Sequence, residues 1–223
     1  MGIITENINK YKASLPEGVE LCAVSKFHPE TSIMEAYNAG QRIFGESRVQ
    51  ELLPKFQNLP TDIEWHFIGH LQTNKVKYIA PFVSLIHSGD SVKLLKEINS
   101  CAKKEGRVID VLLQLHVAQE ETKSGFAPSE LYDYMASGEW RVLENIQIRG
   151  VMGMATFTED DALIESEFRQ IHHVFEYLAQ QYFKDNIKFS YCSMGMSDDY
   201  PLAIECGSNI VRVGTGIFGE RIY

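Results

Sequence analysis

One lysine stands at the end of an apolar run near the start of the 223-residue chain. The run VELCAVSKF covers residues 19–27 and predicts a strand, in which side chains alternate between two faces. Lys26 shares its face with Cys22 and Val24, so it is expected to be buried. A buried lysine is costly unless it is paired or its pKa falls, and an amine of lowered pKa readily forms an imine with an aldehyde. Spacing alone leaves open that Lys26 reaches solvent at the strand end.

Two later segments contain residue types that bind a phosphate group. SMGMSDD at 193–199 offers the hydroxyls of Ser193 and Ser197, and VRVGTG at 211–216 offers Arg212, Gly214 and Thr215. Hydroxyls and backbone amides that glycine leaves accessible are common phosphate ligands. Each segment also has an ordinary explanation, since the serine at 197 can cap a helix and the glycines can form a turn.

Strand-length apolar runs alternate with helix-period segments along the whole chain. The predicted strands cover residues 19–27, 42–47, 63–70, 83–87, 108–117, 146–155, 187–192 and 209–213. The predicted helices cover residues 3–13, 28–40, 48–58, 74–80, a segment capped by Ser91 and ending at 104, then 128–137, 160–183 and 198–206. Eight strand–helix units in this length favour a single α/β domain over residues 1–223, a (β/α)8 TIM-type barrel with an extra N-terminal helix.

A closed barrel brings the two ends of the strand order together. The first strand then neighbours the eighth, so Lys26 and the two phosphate-type segments meet at the carboxyl ends of the strands. Active and binding sites of such barrels lie at that end. A lysine on the first strand together with phosphate-type segments after the seventh and eighth strands is harder to explain by capping and turns than either feature alone.

Other familiar patterns fail on their context. GTGIFG at 214–219 fits a dinucleotide-binding pattern, but only four residues follow it and no helix can receive a pyrophosphate. His66 and His70 are four apart in a strand-like run, about 13 Å, and cannot share a metal ion. His172 and His173 diverge around a helix, so no metal site is predicted.

Composition narrows the class of partner. The formal net charge is −9, from 21 basic and 30 acidic residues, which disfavours binding to nucleic acid. The four cysteines show no paired spacing, and the N-terminus has no apolar signal core. No apolar run is long enough to cross a membrane, so the sequence predicts a reduced cytoplasmic protein.

Six segments together resemble one known family. They are AVSKFHP (23–29), FGESRVQE (44–51), WHFIGHLQTNK (65–75), KSGF (123–126), RGVMGMAT (149–156) and SMGMSDDYPLAIECGSNIVRVGTGIFGER (193–221). In this order, over nearly the whole chain, they resemble the YggS/PROSC family of pyridoxal phosphate homeostasis proteins, which is related to the barrel domain of alanine racemase. The third and the last segments are the most specific.

The resemblance implies a cofactor, pyridoxal 5′-phosphate, held as an imine on Lys26. It implies that Ser193, Gly214 and Thr215 hold the phosphate with help from Ser197. Arg212 would face the pyridine nitrogen and disfavour its protonation, which weakens the ring as an electron sink.

Two family positions stay unassigned. Lys123 matches a second family lysine, to which no role is given. The family commonly reads G-E-N-Y where this chain has Ser47 and Arg48 after Gly45-Glu46, which puts that corner of the pocket in question.

Three functions are compatible with these residues. The resemblance favours a monomeric carrier that binds pyridoxal phosphate reversibly, buffers it and passes it transiently to apoenzymes. The alternative is an amino-acid racemase, for which His70, His116 or Lys123 would supply the second acid/base. The eight units leave no segment for the second domain of the related racemases, so racemisation is expected to be slow or absent, and no catalytic residue is assigned. A third possibility is a barrel that binds another phosphate ester without an imine.

Overall fold

The computed structural model describes residues 2–120 and 124–220, and in this part of the chain eight parallel strands close into a barrel. The strands are β1 (Glu20–Val24), β2 (Ile43–Glu46), β3 (Glu64–Phe67), β4 (Leu85–Gly89), β5 (Ile109–Gln114), β6 (Ile146–Met152), β7 (Tyr191–Ser193) and β8 (Ile210–Val213). Each strand pairs in parallel with the next, and β8 closes the ring against β1 with Cys22 opposite Arg212. The predicted TIM-type barrel is confirmed, and so is the meeting of the first and eighth strands.

Helices cover the outside of the barrel. In the described residues they are α1 (Ile3–Ser14), α2 (Glu30–Asn38), α3 (Val49–Asn58), α4 (Val76–Ile79), α5 (Val92–Lys104), α6 (Pro128–Ser137), α7 (Asp161–Tyr182), α8 (Tyr200–Glu205) and α9 (Thr215–Phe218). Short 3₁₀ helices lie at Thr73–Lys75 and Glu139–Val142. The extra N-terminal helix is confirmed as α1, and none of the described helices is long and apolar enough to cross a membrane.

The predicted helix ends are accurate where cap residues mark them. Helix α6 begins and ends at the predicted residues, because Pro128 occupies its first turn and Gly138 adopts the left-handed conformation with φ 73° just beyond it. Ser91 caps α5 as predicted, since its hydroxyl accepts a hydrogen bond from the Leu94 amide at 3.3 Å.

Seven of the eight predicted strands are longer than the observed ones, the fourth has the predicted length but begins two residues later, and the seventh starts in the wrong place. Residues 187–190 precede β7, and Ile187 is 95% exposed. The cause is a turn: the Phe189 amide donates to the Asn186 carbonyl, and the Asn186 side chain accepts from the Lys188 amide at 3.0 Å. An asparagine that bonds its own following backbone favours a turn over a strand.

The wall of the barrel separates two cores. Between the strands and the helices lies the larger one, which contains fully buried aromatic side chains, namely Phe44, Trp65, Phe67 and Phe168. The interior is filled at one level by a smaller apolar cluster formed by Cys22, Leu85, Leu112, Met152 and Ile210. Because side chains alternate along a strand, polar residues two positions further along also point inward. They include His87 on β4 and Arg212 on β8, and both are buried.

Candidate functional site

A cavity of about 280 Å³ opens at the carboxyl ends of the strands. Five of the six predicted site residues line it, namely Lys26, Ser197, Arg212, Gly214 and Thr215. Val24, Ile68 and Met154 give it an apolar wall. The structure therefore brings together residues from the two ends of the chain, as the closed barrel predicts.

Lys26 lies in a turn rather than in the first strand. Strand β1 ends at Val24, and the His28 amide donates to the Ser25 carbonyl at 3.1 Å across the turn. Lys26 is half-buried and directed to the cavity. Its neighbour Phe27 has φ 67°, a left-handed conformation that residues other than glycine rarely adopt. A strained backbone of this kind persists only when its surroundings hold it.

A buried ion pair outside the barrel holds this turn. The Lys55 ammonium of α3 donates to the Glu46 carboxylate at 2.6 Å and to the Ser25 carbonyl at 2.9 Å. The Ser25 hydroxyl donates to the same carboxylate oxygen at 2.7 Å, and Glu51 accepts from the Phe27 amide at 2.8 Å. Burial raises the pKa of Glu46, and the Lys55 ammonium opposes that shift. Both residues flanking Lys26 are thus tied to helix α3.

The phosphate-type segments meet on the other side of the cavity. Ser197 follows β7, and its hydroxyl lies 3.5 Å from the Gly216 amide at the start of α9. Gly195 is required before it, since its φ is 92° and a Cβ there would lie 2.6 Å from the Ala203 side chain. The His28 ring stacks on Phe218 with 5.0 Å between centroids, which joins the Lys26 turn to α9.

Arg212 is a buried cation whose hydrogen-bond partners in the described residues are neutral. Only 5% of it is exposed, and its Nη1 donates to the Ser193 carbonyl at 2.9 Å and to the Ser193 hydroxyl at 2.6 Å. Its Nη2 donates to the Gly153 carbonyl at 3.0 Å. Burial lowers the pKa of Arg212, but a guanidinium stays protonated in proteins. Among the described residues, no carboxylate forms an ion pair with it.

Ser193 lies beneath the cavity rather than in its lining. It is fully buried on β7, and besides accepting from Arg212 its hydroxyl oxygen lies 3.1 Å from His87 Nδ1. The sixth predicted residue is therefore near the site but directed to the guanidinium. The alternation of the strand explains the difference: Ser193 points into the barrel interior, and the chain turns outward only at Gly195.

Sequence reasoning missed two interior histidines. His87 Nε2 lies 3.0 Å from His66 Nδ1, and both rings are buried under the site. The spacing argument treats His66 only together with His70, as two possible ligands of one metal ion. Its position on a strand between Trp65 and Phe67, which face the outer core, was the available signal that its side chain points inward. No group of three or more metal-ligating residues occurs in the described part of the chain.

The residues proposed for a second acid/base lie elsewhere. His70 has a side chain that is 62% exposed and contacts Asp90 at 3.0 Å, and His116 contacts the Glu120 carbonyl at 3.1 Å. Neither histidine lines the cavity. Lys123 lies outside the described residues. Ser47, which departs from the family pattern, does line the cavity.

The fold and the site define a class: a parallel (β/α)8 barrel with a small-ligand site at the carboxyl ends of its strands. The sequence pattern of the family "Alanine racemase, N-terminal domain" matches residues 2–222. The pyridoxal phosphate homeostasis protein of Aquifex aeolicus is 42% identical over 208 residues, which cover 92% of this chain and 88% of that protein. The corresponding Schizosaccharomyces pombe protein is 38% identical over 206 residues, or 91% and 84% of the two chains.

Solved structures agree with these relatives. PipY of Synechococcus elongatus is 37% identical, and the match covers 97% of this chain and 100% of PipY. The TM-score is 0.90 for PipY without pyridoxal phosphate and 0.88 for PipY with it bound. Alanine racemase of Clostridium difficile, at 18% identity and a TM-score of 0.75, shares the fold, and this chain covers 56% of it. The chain belongs to the alanine racemase N-terminal domain family and, within it, to the pyridoxal phosphate homeostasis proteins.

Proposed function

We propose that this protein binds pyridoxal 5′-phosphate reversibly on Lys26 and serves intracellular homeostasis of that cofactor. The observation that carries the proposal is the meeting of an amine, two hydroxyls and a buried guanidinium, which forms no ion pair with the described residues, around one cavity. Relatives that are 35–42% identical bear the name pyridoxal phosphate homeostasis protein, and the structure of PipY has been solved with pyridoxal phosphate bound.

The donor set fits each part of the cofactor. Lys26 would hold its aldehyde carbon, while Ser197, Thr215 and the amides of Gly214 and Gly216 would hold its phosphate. The cofactor supplies an aldehyde, which condenses with a lysine amine to a C=N bond with loss of one water. The apolar side chains of the wall suit the faces of an aromatic ring.

Arg212 would face the ring nitrogen. Its positive charge disfavours a proton on that nitrogen, because two like charges would then lie side by side in a buried site. Three of its five N–H groups are used by Ser193 and Gly153, which leaves two for the cavity that it lines. The residue thus favours a bound cofactor that is a weak electron sink, as suits storage better than turnover.

Visible absorption with added pyridoxal phosphate tests the cofactor and its anchor. We expect a yellow band in the wild type that is lost in Lys26→Ala and kept in Lys96→Ala, a control lysine that pairs with Glu139 on the surface. Borohydride should trap the cofactor on Lys26, as read by peptide mass spectrometry. A band of equal strength in Lys26→Ala would refute the anchor.

Exchange of the Cα proton of an amino acid with solvent distinguishes the carrier role from the racemase role. We expect incubation with L-alanine in heavy water to leave Cα undeuterated on the time scale of enzymatic turnover. Cofactor loaded on the protein should instead activate a pyridoxal-phosphate-dependent apoenzyme. Rapid deuterium incorporation would refute the carrier role in favour of an enzyme.

We further propose that residues 1–223 act as one domain, and that the protein is a cytoplasmic monomer. The continuous core between barrel and helices supports one cooperative unit. Light scattering should report a mass near 25.3 kDa, and denaturant unfolding should show one transition. A twofold mass or two separated transitions would contradict this proposal.

A further inference from the structure

Four polar side chains form a continuous hydrogen-bonded chain through the interior of the barrel. Arg212 Nη1 lies 2.6 Å from the hydroxyl oxygen of Ser193, which lies 3.1 Å from Nδ1 of His87. Nε2 of His87 lies 3.0 Å from Nδ1 of His66. The chain runs from the lining of the cavity across β8, β7, β4 and β3 beneath it.

The members of this chain are shielded from water. Ser193 and His87 are completely buried, and His66 is 4% exposed. Burial lowers the pKa of both imidazoles, that of His66 to about 3, and the Arg212 charge further lowers the pKa of His87. Both rings are therefore neutral at pH 7, so Arg212 is the only charged member of this four-residue hydrogen-bonded network.

The donors and acceptors fit in one direction. Arg212 only donates, so the Ser193 oxygen accepts from it and its hydroxyl hydrogen is directed to Nδ1 of His87. His87 then carries its proton on Nε2 and donates to His66 Nδ1, which puts the proton of His66 on its own Nε2. In the reverse order the Ser193 hydroxyl hydrogen would have no acceptor among the described residues, which is costly in a buried site.

We propose that His87, supported by His66, is a positioning residue for the cofactor: acting through Ser193, it orients the Arg212 guanidinium without neutralising it. The inference rests on the proposed function and assigns to these interior residues a role that touches no ligand. A carboxylate bonded directly to the guanidinium would also fix its position, but it would form an ion pair and cancel the charge that would face the ring. Neutral acceptors fix the position and leave the charge available.

Cofactor titration of three variants tests this role. In His87→Leu, which removes the acceptor, and in Ser193→Ala, which removes the hydroxyl, we expect the dissociation constant for pyridoxal phosphate to rise by about tenfold, as for loss of a bond to a charged group, with a shifted band. In His87→Asn the amide oxygen can take the place of Nδ1, so affinity and band should be largely restored.

Leu85→Ala is the matched control for lost packing. Leu85 lies two residues before His87 on the same inner face of β4. Its truncation should therefore lower stability without removing any hydrogen bond between Arg212, Ser193, His87 and His66. We expect its melting temperature to fall while its dissociation constant stays within about twofold of the wild type. Equal weakening in Leu85→Ala and His87→Leu would overturn a positioning role.

Nitrogen-15 NMR of the histidine rings provides a readout on the wild type without cofactor. We expect both interior rings to be neutral with the proton on Nε2, with signals assigned from His66→Gln and His87→Asn. A proton on Nδ1 of His87, or a charged ring, would overturn the inference. A wild type without a yellow band would refute the proposed function together with the inference, whereas a normal wild type and an unchanged His87→Leu would refute the inference alone.

Discussion

Two buried polar networks lie on opposite sides of the barrel wall, close to the same cavity. The outer network joins Lys55 to Glu46 as an ion pair at 2.6 Å and holds the backbone on both sides of Lys26. The inner network joins Arg212 to a serine and a histidine, and in the described residues it contains no carboxylate. Both immobilise a cation, but among the described residues only the cation of the inner network forms no ion pair.

The difference indicates what each cation is for. A buried ion pair has little net charge, so Lys55 can fix the backbone without changing the field in the cavity. A buried guanidinium with neutral partners is costly in the free protein, and an anionic ligand offsets that cost on binding. This contrast supports the proposal that the outer network stabilises the fold and the inner network orients a ligand-binding cation.

The largest expected effect is on stability, from breaking the outer pair. Lys55→Met should lower the free energy of unfolding by about 3–5 kcal/mol, because it leaves the Glu46 carboxylate buried without its partner. Urea unfolding at pH 7 measures the change. The double variant Glu46→Gln/Lys55→Met should recover most of the loss, and a single variant as stable as the wild type would contradict a structural role for the pair.

Acid should destabilise the protein through the inner histidines. Their pKa values lie below the ordinary value of about 6.5, with His66 at about 3, so the unfolded chain binds more protons in this window. Stability is then fully present above about pH 6.5 and falls as the pH is lowered towards 3, by up to about 1.4 kcal/mol per pH unit for each ring.

The variant His66→Gln isolates this effect. It removes one titrating ring, so the difference in unfolding free energy between pH 7 and pH 4.5 should be smaller than in the wild type. Urea midpoints at the two pH values provide the measurement. An unchanged difference would show that His66 is not neutral and buried in the folded protein.

A smaller effect is expected where the outer network reaches the site. Glu51→Gln keeps a carbonyl oxygen able to accept from the Phe27 amide, whereas Glu51→Leu releases that amide and loosens the strained turn beside Lys26. We expect Glu51→Leu to raise the dissociation constant for pyridoxal phosphate by about fivefold to tenfold, and Glu51→Gln to change it little. Equal dissociation constants for the two variants would show that the hydrogen bond from Glu51 to the turn does not affect cofactor affinity.

The smallest effect is expected from an ion pair in water. Arg169 and Glu165 contact each other at 2.6 Å on the exposed face of α7, with both side chains largely accessible. Exposed pairs contribute little because water screens them and both side chains lose freedom. Arg169→Ala should leave the melting temperature unchanged within the error of calorimetry. A clear drop would mean that burial does not decide how much stability is lost when an ion pair is broken.

Much of the fold could be predicted from local patterns, and much of the site from the fold. The ends of α6 follow from Pro128 and Gly138, and the cap of α5 from Ser91, because these residues act on their immediate neighbours. The start of β7 was wrong because an asparagine turn competes with an apolar run over the same residues. The apolar run predicts Lys26 within the first strand, whereas the strand ends at Val24, because a sequence pattern does not show where the hydrogen bonding between strands stops.

The sequence alone predicts the alternation of strands and helices. This alternation favours a closed barrel, in which Lys26 meets Ser197, Arg212, Gly214 and Thr215. These follow from periodicity and from the closure of parallel strands. The contact of Ser193 with Arg212, and its extension through His87 to His66, can be seen only in the folded protein. Such contacts join residues as far as 106 positions apart, and they depend on the inward angle of each side chain, which no local pattern contains.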